Sequence, residues 1–183
     1  LGLAANAIRA DAAGSSTTIE LHHCTSVVVV GNRLSGNRGI YVNGAATQGM
    51  VIGGNRFACS GGAYNIQVTG GAADVRIERN DFVTSLPVDV AAGSTCTFVK
   101  NNIASAMLST ASSVVATRNW WGATDSTFIR SAISGAGADS VTFVPYRLGE
   151  VDTTLNADTV APNAPASISA EGISETMIRI SWA

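Results

Sequence analysis

Six polar residues of this chain share one spacing. They stand at alternate positions in or just beyond short apolar segments: TIEL at 18–21, GIYV at 39–42, NIQV at 65–68 and PVDV at 87–90. Successive side chains of an extended strand point to opposite faces. The pairs Ile19/Leu21, Ile40/Val42, Ile66/Val68 and Val88/Val90 therefore mark an inward face, and AML at 106–108 continues the series with Ala106/Leu108. One outward column then reads Glu20, Tyr41, Gln67, Asp89 and Met107; the next reads His22, Asn43, Thr69, Ala91 and Ser109. Carboxylates, an imidazole, amides and a single phenol on one face suit sugar binding. Hydroxyls would meet Glu20, His22, Asn43, Gln67 and Asp89, while the Tyr41 ring offers apolar area with a polar tip. The plainer expectation is a solvated polar face. Acid–base hydrolysis is the less economical one, because Glu20 and Asp89 would stand three repeats, about 14 Å, apart. Glycosidase carboxylates need roughly 5–9.5 Å.

Other chemistry finds less support. His22 and His23 are adjacent, so on a strand they face opposite ways and do not converge on one metal ion. Asp74, Glu78 and Asp81 are interleaved with Arg76 and Arg79, which reads as a salt-bridged surface and not as a calcium site. Neither a glycine-rich phosphate loop nor a serine nucleophile elbow is present. No metal and no cofactor is expected. Arg79, Lys100 and Arg118 each precede an asparagine of the repeat described below, and Arg33 and Arg56 each follow one. Stacked bases of this kind suit an acidic polysaccharide; solubility and edge protection explain them more simply.

The elements that would position these residues are set by an octad: apolar, any, apolar, any, any, Asn, any, apolar. It reads LGLAANAI at 1–8, VVVVGNRL at 27–34, MVIGGNRF at 50–57, VRIERNDF at 75–82, CTFVKNNI at 96–103 and VVATRNWW at 114–121. The asparagines Asn6, Asn32, Asn55, Asn80, Asn101 and Asn119 are thus spaced by 26, 23, 25, 21 and 18 residues. A drifting period suits coils joined by loops of variable length. A strand of this size cannot bury a face alone, but stacked coils pair each strand with neighbours above and below. The asparagine suits the tight turn, since it tolerates left-handed dihedrals. Stacked at about 4.8 Å, its side chains can hydrogen-bond along a ladder.

Six octads with a second strand in each interval resemble the right-handed parallel β-helix repeat family, the pectin-lyase-like fold, over residues 1–148. The resemblance implies an all-β solenoid of about six coils with a C-terminal cap. That fold hosts lyases, hydrolases, epimerases, adhesins and stalks, so it does not by itself assign an activity. The runs Asn-Thr-Asp, Asp-Asp, Gly-His-Gly and Arg-x-Lys, which carry catalysis in relatives of this kind, are missing. RNWWGATDS at 118–126 also resembles the family's last coil, with Trp121 inward and Trp120 outward. STFIRSAI at 126–133 is predicted as a short capping helix, N-capped by Asp125 or Ser126, and VTFVPY at 141–146 as a final strand. Residues 149–166 read as a linker. Residues 167–183, alternating through Ile178, Ile180 and Trp182, resemble the incomplete start of a fibronectin type III domain.

Composition sets the outer limits. The chain of 183 residues is 46% hydrophobic and 13% charged, with 19 glycines and 6% aromatics. That excludes a disordered chain and argues against a helical bundle. With a net charge of −2, no nucleic-acid partner is expected, and no apolar run approaches the roughly 20 residues of a membrane span. Three cysteines imply no closed disulfide framework. The expectation is an extracellular or cell-surface β-helix, carbohydrate-interacting or structural, with further domains upstream and downstream. Its partner would be a polysaccharide or cell-surface glycan. The alternative is the C-terminal part of a polysaccharide lyase or glycoside hydrolase, so enzymatic activity is left open.

Overall fold

Each octad opens with a strand, and the strands stack. The computed structural model describes residues 2–4, 7–10, 17–103, 108–153, 168–174 and 177–182, with side chains over 17–103 and 108–153. Gly2–Ala4, Val28–Val30, Gln48–Gly53, Ala73–Glu78, Cys96–Val99 and Val114–Val115 form a first sheet. Beyond each asparagine, Ala7–Ala10, Arg33–Gly36, Arg56–Cys59 and Asp81–Phe82 form a second. The intervening strands Thr17–His22, Arg38–Asn43, Ile66–Thr69, Val88–Val90, Leu108–Thr110 and Ile133–Ser134 form a third. Within each sheet the strands are parallel and pair coil to coil. The protein is a parallel β-solenoid of about five turns, with very little helix.

Register keeps equivalent octad positions in line: Val29 pairs with Ile52, Ile52 with Ile77, and Ile77 with Phe98. The core is therefore a set of columns. Val27, Val29, Met50, Ile52, Val75, Ile77, Cys96, Phe98 and Val114 are all buried, as the octad requires. So are Ile40, Val42, Ile66, Val68, Val88 and Val90 from the third sheet. Phe57 and Phe82 stack at 4.9 Å between centroids. Each such side chain contributes about 1.5–3 kcal/mol by leaving water.

The asparagines stack beside this core. Each side-chain Oδ1 accepts from both the backbone N–H and the Nδ2 of the asparagine one coil earlier. Asn80 serves Asn55 at 3.0 and 3.1 Å, Asn101 serves Asn80 at 2.9 and 3.1 Å, and Asn119 serves Asn101 at 2.8 and 3.0 Å. Asn55 serves Asn32 in the same way. Each Nδ2 also reaches back to a first-sheet carbonyl: Asn55 to Val29, Asn80 to Ile52, Asn101 to Ile77 and Asn119 to Phe98. The ladder is thus a closed accounting of buried polar groups. Asn6 lies outside the described residues.

One expectation about this turn is corrected. The left-handed residue is the one before the asparagine: Gly31, Gly54, Arg79, Lys100 and Arg118 have φ of 67, 61, 53, 56 and 59°. The asparagine is selected by its ladder hydrogen bonds, and its neighbour makes the bend.

The end of the solenoid is closed as expected by Trp121, buried against Phe98, and by the helix Ser126–Ser131. Asp125 caps that helix, accepting from the Phe128 N–H at 2.8 Å. Ile129 and Ile133 are buried. The predicted strand at 141–146 is reduced to one bridge, Val115 with Thr142. Pro145 lacks the N–H that would continue the ladder. Past the cap, the chain returns along the wall. The Arg147 N–H donates to the Asn119 carbonyl, and the Asn102 side chain grips Val151 at both its N–H and its C=O, at 2.6 and 2.9 Å. Residues 154–167, most of the expected linker, lie outside the described residues. Ile168–Ser174 and Met177–Trp182 pair as an antiparallel hairpin. Among the described residues no helix is long and apolar enough to cross a membrane.

Candidate functional site: the outer face of the third sheet

Strand pairing puts Glu20 beside Tyr41, Tyr41 beside Gln67 and Gln67 beside Asp89. His22 pairs with Asn43, and Asn43 with Thr69. Of the two columns expected from the sequence, the first therefore exists over four coils and the second over three. In the next coil the register differs. Asp89 pairs with Ser109 and Val90 with Thr110, so Ser109 belongs to the first column, in the place given to Met107. Leu108 and Thr110, not Ala106 and Leu108, form the inward pair there. A buried threonine is accommodated because its hydroxyl donates to the Ser112 carbonyl and accepts from the Ser112 N–H. Met107 and Ala106 lie outside the described residues.

The side chains interact within the face. His22 Nε2 lies 3.4 Å from Glu20 Oε2, and its Nδ1 lies 3.4 Å from the Asn43 amide nitrogen. Each ring nitrogen of His22 thus has a polar neighbour within the face. Gln67 donates its amide to Asp89 Oδ2 at 2.9 Å, so Asp89 also has a partner in the face.

Tyr41 is not an isolated aromatic. Its ring meets the edge of His22 at 5.4 Å and stacks on Tyr64 at 6.2 Å. Tyr64 is buried, its hydroxyl lies 3.1 Å from Thr17 Oγ1, and the Arg38 guanidinium covers its ring at 5.4 Å. Tyr64 and Arg38 had no place in the alternation: Tyr64 precedes its strand and Arg38 opens one ahead of the inward pair, so only tertiary contact reveals them. The resulting row, His22, Tyr41, Tyr64 and Arg38, is bordered by Glu20 and Asn43.

The other candidates resolve differently. Arg76 pairs with Glu78 and Arg56 with Asp81, both at 2.6 Å, so these carboxylates belong to surface ion pairs. Among the described residues no group of three or more His, Cys, Asp or Glu side chains is placed to hold a metal ion. A cavity of about 540 Å³, lined by Ser126, Thr127, Arg130, Ser131 and Phe143, lies in the cap and not on the third-sheet face. Its arginine is held by Asp139 and the Ala138 carbonyl. Comparison of the chain with protein-family models, with curated proteins and with solved structures finds no match.

Proposed function

We propose that the chain is a carbohydrate-interacting module of an extracellular, multidomain protein, and that sugars meet it on the outer face of the third sheet. The supporting observation is the register that assembles Glu20, His22, Tyr41, Asn43, Gln67 and Asp89 from four coils around one aromatic row. A repetitive, rigid wall of this kind suits a linear polymer. In the same reading the solenoid is of the right-handed, pectin-lyase-like type, and the terminal hairpin opens a fibronectin type III domain. Binding is weak, in the μM–mM range of a shallow groove. Bond cleavage does not accompany it, because Glu20 and Asp89 are three strand steps apart, too far for a glycosidase carboxylate pair.

A glycan array followed by titration of Tyr41→Ala tests the reading. Oligosaccharide binding that weakens at least about tenfold in the variant, the loss of one well-packed aromatic contact, supports it. Binding unchanged by Tyr41→Ala removes the site from this face. Absence of binding to any glycan leaves a structural stalk. Release of unsaturated or reducing sugar by the purified chain restores the lyase or hydrolase alternative.

A further inference from the structure

The turn before each described ladder asparagine holds a left-handed residue, and the chain meets that demand in two ways. Gly31 and Gly54 adopt it freely. Arg79, Lys100 and Arg118 adopt it in three successive coils, against the steric preference of any side chain with a Cβ. A second left-handed column in the same solenoid contains Ser26, Gly49 and Asp74, small residues of the kind such positions usually hold. Conformation therefore does not select long cationic side chains at 79, 100 and 118. Strain retained where glycine would serve points to a role for the side chain.

The side chains of the three cations also form no ion pair among the described residues. The carboxylates nearest in sequence have other partners: Glu78 pairs with Arg76 and Asp81 with Arg56, Asp89 accepts from Gln67, and Asp125 caps the helix. Arg79, Lys100 and Arg118 make no ion pair among the described residues, and neither does Glu150 on the returning segment. Their backbones are fixed by the coil ladder: the N–H groups of Arg79 and Lys100 donate to Val99 and Thr117, and that of Arg118 to Pro145. The row thus advances one cation per coil, about 4.8 Å at a time, along the turn between the first and second sheets.

We propose that Arg79, Lys100 and Arg118 form a single-file cationic row that binds a linear acidic polysaccharide, its carboxylate or sulfate groups meeting successive coils. A row one residue wide matches a polymer with its charges in single file. Duplex nucleic acid carries phosphates on two strands and a membrane presents a plane, and neither fits a single line. The chain's net charge of −2 supplies no general attraction for polyanions, so binding is local to the row. Arginine and lysine both bind such groups, arginine bidentately. The row lies on a different wall from the third-sheet face, and the inference stands independently of the sugar site there.

The test replaces all three residues by glycine in the full chain. Titration with polygalacturonate, carrying carboxylates, and with heparin, carrying sulfates, is run at low and at physiological salt. The wild type binds at least one polymer in a salt-sensitive way, and which one assigns the anion. Arg79→Gly/Lys100→Gly/Arg118→Gly binds at least about tenfold more weakly, while its melting temperature is unchanged or higher because the left-handed turns are relieved. Arg79→Gln/Lys100→Gln/Arg118→Gln, which keeps the Cβ atoms and removes the charges, loses the same binding. Tyr41→Ala retains it. A control of equal charge, Arg76→Gln/Arg130→Gln/Arg179→Gln, also retains it. The proposal is overturned if the wild type binds neither polymer, if the control weakens binding as much as the row variants, or if duplex DNA binds more tightly than both polysaccharides.

Discussion

Two columns of this solenoid obey opposite rules. Along the turn between the first and second sheets, Asn32, Asn55, Asn80, Asn101 and Asn119 are all but fully buried and repeat one residue without exception. Along the outer face of the third sheet, Glu20, Tyr41, Gln67, Asp89 and Ser109 follow one another in register, each step a different residue. The difference is solvent. A buried amide has only the coils above and below to satisfy it, so each asparagine needs another asparagine. An exposed side chain has water, and a pairing such as His22 with Glu20 is local and dispensable. Uniformity therefore marks what the fold requires, and variety marks where chemistry is free to differ.

Breaking the buried column gives the largest effect. Asn80→Leu leaves the Asn55 N–H and Nδ2 and the Ile52 carbonyl without their partner. A loss of about 3 kcal/mol is expected by urea denaturation. Asp89→Ala is expected to cost about 0.5–1 kcal/mol, since it removes one part-buried amide contact. Equal losses in the two variants would erase the distinction between the columns.

The buried core sharpens the same contrast through pH. Burial pushes the Cys59 thiol from 9.0 up to about 11 and the Cys96 thiol up to about 12. In the unfolded chain both ionise near pH 9. Between that pH and their folded values the native state holds more protons than the unfolded one, so stability falls as pH rises. A decline of about 2 kcal/mol by pH 10 is expected from the two thiols, and Cys96→Val should remove roughly half of it. A flat profile between pH 9 and 10 would show that the inward columns admit solvent.

The left-handed column gives effects of smaller size and opposite sign. Gly54→Ala places a Cβ at a φ of 61° and 3.3 Å from the Thr153 carbonyl oxygen, and should destabilise by about 1–2 kcal/mol. Lys100→Gly relieves the same conformation, offset in part by the greater freedom of glycine in the unfolded chain, and should be neutral or stabilising by up to about 1 kcal/mol. A clear destabilisation by Lys100→Gly would mean that the lysine packs for the fold, and the cationic row would lose its rationale.

Much of this was legible because the solenoid repeats. The octad located the first sheet, the buried apolar columns and the ladder, since stacking converts a sequence period into a spatial column with no long-range choice to make. The alternation of Glu20, Tyr41, Gln67 and Asp89 was legible for the same reason. It misplaced Ser109 because a single inward threonine, self-satisfied through Ser112, breaks the apolar pattern from which register was read.

The sequence by itself determined the parallel stacking, the inward residues and the identity of the ladder, because burial imposes a periodic demand that composition must answer at every coil. Only the tertiary structure decided what happens at the bends. It put the left-handed strain on the residue before each described ladder asparagine, brought Tyr64 against Tyr41 and Arg38 over Tyr64, and tied Val151 to Asn102 on the wall. Bends have no period. Their contacts join residues as far apart as the 49 positions between Asn102 and Val151, and they are set by where neighbouring coils leave a backbone group or a ring uncovered.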